Sequence, residues 1–170
     1  MPVGVPGPEL WDVPKSINFK LRTNCISAAT QAVYTWYDFS RPIVEVRVVY
    51  LDITPSGSYT GAPFPWHTGL EMTLDTTDPE PGVYTLTTDA LNFMYGFAIM
   101  NDVGGVIYDI GSSSTDQGCI ASGAGNCRLE SPLAGAACAE RSFYGDYYNR
   151  QLRSFSQNEE YVFGSCDSTC

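Results

Sequence analysis

Apolar and polar residues alternate with a period of two along most of this chain, and this pattern predicts a fold made almost entirely of β-strands. The clearest example is Ile17, Phe19 and Leu21, which alternate with polar residues. Successive side chains of a strand point to opposite faces, so such a segment places one face on a core. Nine or ten strands are predicted, at residues 17–21, 32–37, 44–50, 70–74, 84–88, 91–99, 106–110, 143–148, 151–155 and 161–163.

Segments rich in Pro, Gly, Ser and Asp separate these strands at the spacing of an all-β domain. The sequence therefore predicts a two-sheet antiparallel β-sandwich with disulfide-bonded loops, jelly-roll-like as first choice and immunoglobulin-like as second. One short helix is predicted at residues 134–141, because Ser131 is a good N-cap and Pro132 suits the first helical position. With so few helical segments to serve as crossovers, a parallel α/β fold is unsuitable.

The chain is acidic and sparsely charged, which excludes several classes of partner. Its 170 residues carry 9 Lys and Arg against 19 Asp and Glu, for a net charge of −10. Such a charge disfavours nucleic acid and anionic membrane as partners. Charged residues are only 16% of the total and hydrophobic residues 44%, a composition that indicates a folded domain rather than a disordered chain. The longest apolar run, residues 93–100, is too short to cross a bilayer.

The cysteine content indicates an oxidising compartment. There are six cysteines, Cys25, Cys119, Cys127, Cys138, Cys166 and Cys170, and an even number in a chain without a C-x-x-C pair favours three disulfides over a zinc site. We therefore expect an extracellular or cell-surface protein with no free thiol. Of the 15 possible connectivities, the short spacings favour local loops closed by Cys119–Cys127 and Cys166–Cys170.

Enzymatic chemistry has little support in the sequence. His67 is the only histidine, and the motifs of serine hydrolases, zinc proteases, nucleotide-binding loops and dinucleotide-binding folds are missing. A glycosidase using the paired carboxylates Glu45 and Glu71 is the least favoured hypothesis. We therefore predict a protein without catalytic residues or cofactors.

The sequence leaves two further binding-site hypotheses, one for sugars and one for calcium. Aromatic side chains can stack on sugar rings, and Trp66, Tyr144, Tyr147 and Tyr148 are the candidates. Asp75, Asp78 and Glu80 are a weak candidate for a calcium site, because they share one loop but lack the spacing of a known calcium loop. N-glycosylation sequons are absent, whereas hydroxyl clusters such as residues 112–115 leave O-linked sugar open.

The N-terminal arm, residues 1–23, differs in charge from residues 24–170, which we take as the β-sandwich domain. The arm has three basic and two acidic residues, whereas the remainder has six basic and seventeen acidic residues. It starts with a Gly/Pro-rich stretch and ends in a strand with apolar Ile17, Phe19 and Leu21 on one side and Lys20 and Arg22 on the other. Such a strand suits either an edge of its own sheet or the open edge of a neighbouring subunit.

These observations lead to two functional hypotheses. The first is a non-enzymatic extracellular structural protein, a subunit of a filament or surface coat that binds copies of itself head-to-tail through the arm strand. The alternative is a secreted carbohydrate-binding module that binds glycans through its loop aromatics.

Overall fold

A computed structural model describes residues 15–52, 69–90, 93–109, 111–112, 132–133, 136–138, 140–141, 147–151 and 158–170 of the chain. Within these ranges one short helix, α1 (Ala28–Val33), accompanies eleven strands. The strands are β1 (Lys15–Arg22), β2 (Ile43–Asp52), β3 (Leu70–Glu71), β4 (Thr73–Leu74), β5 (Val83–Ala90), β6 (Phe93–Asn101), β7 (Val106–Tyr108), β8 (Gly111–Ser112), β9 (Glu140–Arg141), β10 (Tyr147–Gln151) and β11 (Asn158–Val162).

The strands form two sheets, which confirms the mostly β architecture predicted from the alternation. The first sheet has the order β11-β1-β5-β4, and the second has the path β3-β2-β6-β10-β8, with β7 on β6 and β9 on β10. β1 pairs antiparallel with β5 but parallel with β11. The first sheet is therefore mixed, and the expectation of purely antiparallel sheets is wrong there.

The main core lies between the two sheets and is built from the alternating residues of their strands. Ile17, Phe19 and Leu21 of β1 are at most 1% exposed. Phe19 contacts the second sheet directly, with its ring centroid 5.1 Å from that of Tyr95. A smaller cluster on the other face of the second sheet contains Val49, Ala98, Tyr108 and Leu133. The middle of each strand, Val48–Val49 of β2 and Phe97–Ala98 of β6, is thus buried on both faces, which explains the consecutive apolar residues there.

The helix lies elsewhere than the sequence predicts. Residues 32–37 were expected to form a strand, but the chain makes α1 there and then turns. Ser27 caps the helix by accepting a hydrogen bond from the Thr30 amide at 3.1 Å, and the Thr30 hydroxyl donates to the Gly164 carbonyl. The helix predicted at residues 134–141 is wrong in the part that is described, where residues 136–138 are irregular and Glu140–Arg141 is β9. There β9 pairs with β10, and this contact overrides the local helix signals of Ser131 and Pro132.

Two disulfides join the C-terminal residues to distant parts of the chain. Cys25 bonds Cys170 and Cys138 bonds Cys166, across sequence separations of 145 and 28 residues. Disulfides are thus confirmed, but the expected local Cys166–Cys170 loop is wrong, because each of these cysteines reaches a different distant partner. Cys119 and Cys127 lie outside the described residues. Within the described residues, no helix is long and apolar enough to cross a membrane.

Two glycines with positive φ provide a matched test of how tightly α1 packs on the C-terminal turn. Gly164 has φ 75° and Gly104 has φ 84°. A Cβ at Gly164 would lie 2.4 Å from Thr30 Cγ2, whereas one at Gly104 would meet nothing within 4 Å. We predict that Gly104→Ala costs about 1 kcal/mol through backbone strain and Gly164→Ala roughly 2–4 kcal/mol through strain plus overlap. Urea unfolding measures both, and equal losses would contradict the close packing.

Candidate functional site

Strand β1 occupies an interior position in the first sheet, so both of its backbone edges are used. Its eight residues pair with β5 from Lys15↔Ala90 to Arg22↔Val83, and its second half pairs with β11. Its inward side chains are the buried Ile17, Phe19 and Leu21. Burying three such side chains stabilises by about 1.5–3 kcal/mol each. β1 therefore fills an apolar groove whose walls are β5 and β11.

The outward side of β1 carries the two basic residues, and acidic residues of the rest of the chain surround them. Arg22 forms ion pairs with Glu160 on β11 and with Glu80 in the turn before β5, the latter at 3.2 Å. Lys20 lies 3.1 Å from Asp78 and 3.9 Å from Glu160. Lys20 and Arg22 thus complement the acidic residues at the rim of the groove that β1 fills.

The pKa directions agree with this arrangement. Burial lowers the pKa of Arg22, but its hydrogen bonds and ion pairs with Glu160 and Glu80 outweigh this effect and raise the pKa overall. The pKa of Asp78 is lowered, chiefly by the Glu80 amide that it accepts and then by Lys20. Since Lys20, Glu80 and Glu160 are partly exposed to solvent, these ion pairs contribute little to stability. They contribute more to the direction and register of docking than to its strength.

Contacts continue beyond the end of β1. The Thr23 amide and hydroxyl both donate to the Gly82 carbonyl, at 3.0 and 2.8 Å, and the Phe163 amide donates to the Arg22 carbonyl at 3.0 Å. Two residues further along, Cys25 is bonded to Cys170. The end of the strand is thus held by hydrogen bonds that can break and reform, and the next segment is held covalently.

A buried ion pair lies within the fold near the C-terminal turn. Arg150 of β10 and Asp109 after β7 are 1% and 0% exposed, and Arg150 Nη2 donates to Asp109 Oδ2 at 2.8 Å. The same Nη2 donates to the Ser165 carbonyl at 2.9 Å, while Nη1 donates to Cys138 Sγ at 3.4 Å. Asp109 in turn accepts the Phe97 amide at 2.9 Å. Sequence reasoning missed this pair, because no local pattern marks an arginine that is buried.

Glu159 is a second buried charge, on the inward side of β11. It is 7% exposed, and its Oε2 accepts the Tyr161 hydroxyl at 3.3 Å. Burial raises the pKa of Glu159, against smaller opposing effects of Tyr161, Tyr95 and Arg150. The Arg150 guanidinium lies 4.1 Å from the centroid of the Tyr161 ring. Two carboxylates and one guanidinium are therefore enclosed around aromatic rings, where a charge without a partner is costly.

The aromatic residues predicted for sugar stacking are not brought together as a described site. Trp66 and Tyr144 lie outside the described residues, as does His67. Tyr147 and Tyr148 belong to β10, opposite Ser112 and Gly111 of β8, and their side chains are outside the description. The carbohydrate-binding hypothesis therefore stays a prediction from sequence.

The acidic loop proposed as a weak calcium site uses its carboxylates for other contacts. Asp75 Oδ1 accepts the amide and hydroxyl of Thr77, at 3.0 and 2.6 Å. Asp78 and Glu80 face the basic residues of β1, at 3.1 Å from Lys20 and 3.2 Å from Arg22. In the described part of the chain, no three acidic, histidine or cysteine side chains gather as a metal site.

The paired carboxylates considered for glycoside hydrolysis lie on neighbouring strands. Glu45 belongs to β2, where its Oε1 is 2.6 Å from Arg47 Nη2. Glu71 belongs to β3 and lies opposite Arg47 in the strand register. Arg47 thus pairs with Glu45 within β2 and lies across from Glu71 in the strand register. The glycosidase hypothesis stays a prediction from sequence.

The Arg150–Asp109 pair predicts a strongly non-additive pair of substitutions. Arg150→Met should cost about 3–5 kcal/mol, because it leaves the Asp109 carboxylate buried without its cation. Adding Asp109→Asn removes that charge while keeping an oxygen for the Phe97 amide, so the double variant should regain part of the loss. Urea unfolding of the four proteins of the cycle measures the coupling. Additive losses would show that the two charges act independently.

Glu159 predicts a pH dependence of stability. Its pKa in the folded chain is raised above the ordinary value of 4.5, so the folded state binds a proton more tightly than the unfolded state does. The free energy of unfolding should therefore fall as pH rises through 4.5 and the interval just above it. Glu159→Gln should flatten this decline, as measured by urea unfolding at a series of pH values. An unchanged slope in the variant would contradict the burial of this charge.

Comparison with models of protein families, with curated proteins and with solved structures found no match for this chain. Its function has to be argued from its own residues, and the β1 groove is where apolar burial, backbone pairing and charge complementarity coincide.

Proposed function

We propose that this chain is a non-enzymatic, extracellular structural protein whose subunits assemble head-to-tail, each giving its strand β1 to the groove of the next. The observation that carries the proposal is the position of β1 between β5 and β11. Residues 15–22 supply a whole interior strand. Within the described residues, the only covalent connection from this strand to the other elements runs through the backbone of Thr23. A strand of this kind makes the same contacts whether the groove belongs to its own chain or to a neighbour.

A groove that lacks β1 would strongly favour binding another strand. It would expose the apolar surface that now covers Ile17, Phe19 and Leu21, together with the unpaired backbone edges of β5 and β11. Such an edge is a template for another strand. A register error of one residue would turn the apolar side outward and place Lys20 and Arg22 in the core, so pairing is specific.

The Cys25–Cys170 disulfide limits where the chain can bend during exchange. If Cys25 stays bonded to its own C-terminus, Thr23 and Asn24 are the hinge between β1 and the body. The three Cα–Cα steps from Arg22 to Cys25 span about 10 Å when extended. Consecutive subunits would then be in direct contact, which suits a compact filament or coat more than a loosely linked chain.

Charge and compartment support the same proposal. The basic side of β1 faces acidic residues on β11 and the turn before β5, so an incoming β1 would be attracted to an empty groove. Disulfides suit an oxidising compartment outside the cell. As part of the same proposal, the two sheets have a jelly-roll topology rather than an immunoglobulin-like one.

An engineered disulfide tests directly which chain fills the groove. Asn18 and Thr87 are opposite each other on β1 and β5, and the Thr87 hydroxyl donates to Asn18 Oδ1 at 2.8 Å. The variant Asn18→Cys with Thr87→Cys should therefore form a bond across this pair. In an exchanged polymer that bond joins two chains, so electrophoresis without reductant should give a ladder of covalent oligomers.

The control for this test is a pair of residues that stay in the same chain when β1 is exchanged. Thr73 and Thr85 are partners on β4 and β5, and Thr73→Cys with Thr85→Cys should give a single-chain band in the same polymer. If the Asn18/Thr87 variant also gives only single chains at high protein concentration, β1 is internal and the assembly proposal is wrong.

A substitution in β1 tests assembly without new cysteines. Phe19→Asp places a charge on the buried side, so we expect soluble, folded monomers with an empty groove. Asn18→Asp, on the exposed side of the same strand, should still assemble. Light scattering follows assembly, and its rate for the unaltered chain should fall as salt screens Lys20 and Arg22. A Phe19→Asp chain that fails to fold would mean that β1 is required within its own subunit.

A further inference from the structure

The two described disulfides differ in the polar atoms that contact their sulfurs. Arg150 Nη1 donates to Cys138 Sγ at 3.4 Å, and the Cys138 amide donates to Cys166 Sγ at 3.1 Å. Cys170 Sγ instead lies 3.8 Å from a carboxylate oxygen of Glu80 and 3.6 Å from the side-chain oxygen of Asn24. Asp109 balances the charge of Arg150, and Arg22 that of Glu80, so the two disulfides differ mainly in hydrogen bonding. N–H donors to sulfur stabilise a thiolate, whereas neighbouring oxygens destabilise it.

A cavity of about 580 Å³ is lined by one cysteine of the Cys138–Cys166 disulfide. One wall is α1, with Ala29, Thr30 and Val33, and the opposite wall includes Leu133 and Ala136. Cys166 is part of the lining, whereas Cys138 is not. A molecule in the cavity therefore contacts Cys166 and not Cys138.

We propose that Cys138–Cys166 is a thiol–disulfide exchange site for small, uncharged or cationic thiols that enter this cavity. The thiolate sulfur of the small molecule attacks Cys166 Sγ and forms a new S–S bond. The Cys138–Cys166 bond breaks, and its electron pair leaves on Cys138 Sγ as a thiolate that faces Arg150. A second small thiolate then attacks the small-molecule sulfur of the mixed disulfide on Cys166. This step releases Cys166 as a thiolate and forms a small-molecule disulfide. Two thiols are oxidised and one protein disulfide is reduced.

The leaving group explains why Cys166 is the sulfur attacked and Cys138 the sulfur released. Exchange is faster when the departing thiolate is better stabilised, and the hydrogen bond from Arg150 Nη1 provides this stabilisation at Cys138. Burial lowers the pKa of the Arg150 guanidinium, but Asp109 and the neighbouring tyrosines outweigh this effect and raise the pKa overall, so the guanidinium stays charged in the fold. Asp167 lies at the cavity lining, and the chain has a net charge of −10, so an anionic thiol is disfavoured.

Partial reduction of the unaltered protein by cysteamine, a small cationic thiol, tests this site. Cys170 is exposed, whereas Cys138 and Cys166 are both half-buried. Exposure alone therefore predicts that Cys25–Cys170 is reduced first. Our proposal predicts the reverse order, with Cys138–Cys166 reduced about tenfold faster. Acid quenching, differential alkylation and mass spectrometry locate each reduced pair. Reduction of Cys25–Cys170 first, or of both pairs at equal rates, would overturn the proposal.

Filling the cavity provides a second measurement that leaves both disulfides and Arg150 intact. Ala29 and Ala32 are both exposed residues of α1, but only Ala29 lines the cavity. Ala29→Leu should slow the reduction of Cys138–Cys166 roughly tenfold by blocking access and leave Cys25–Cys170 unaffected. Ala32→Leu should change neither rate. An Ala29→Leu protein with the original rate would mean that thiols do not attack from this cavity, and the proposal would be wrong.

Discussion

The burial of β1 between β5 and β11 is the constraint on which the rest of the first sheet depends. One side of this strand fills the core and contacts the second sheet through Phe19 and Tyr95. The other side neutralises acidic groups that would otherwise repel each other across β11 and the turn before β5. Because β1 pairs in parallel with the last strand, the two ends of the described chain must meet before this sheet is complete. Contacts this distant in sequence are formed slowly.

The sequence was sufficient for the strands whose side chains alternate, because a period of two is a direct consequence of strand geometry. It was insufficient for residues 32–37, where aromatic and β-branched residues are typical of a strand but the chain forms α1 and a turn. The deciding contacts are made by Ser27 within the helix and by Thr30 with Gly164, 134 residues away. A local pattern carries no information about such a partner.

The candidate site was predictable in part for the same reason. Lys20 and Arg22 could be recognised as the charged side of a strand, since that needs only the alternation. Their partners could not, because Glu80 is 58 residues from Arg22 and Glu160 is 138 residues away. Disulfide connectivity failed likewise, since short spacing favoured Cys166–Cys170 whereas the fold brings Cys138 and Cys25 to these cysteines.

Strand exchange further requires that the groove keep its shape while β1 is absent, and the C-terminal region provides a physical basis for this. β11 is a wall of the groove, and the residues that follow it carry both Cys166 and Cys170. Arg150 also binds the Ser165 carbonyl of this segment, and Thr30 binds the Gly164 carbonyl. These bonds restrain the end of β11 independently of β1. Removal of β1 would therefore cost apolar burial and hydrogen bonds, while covalent links would hold the far wall ready for another strand.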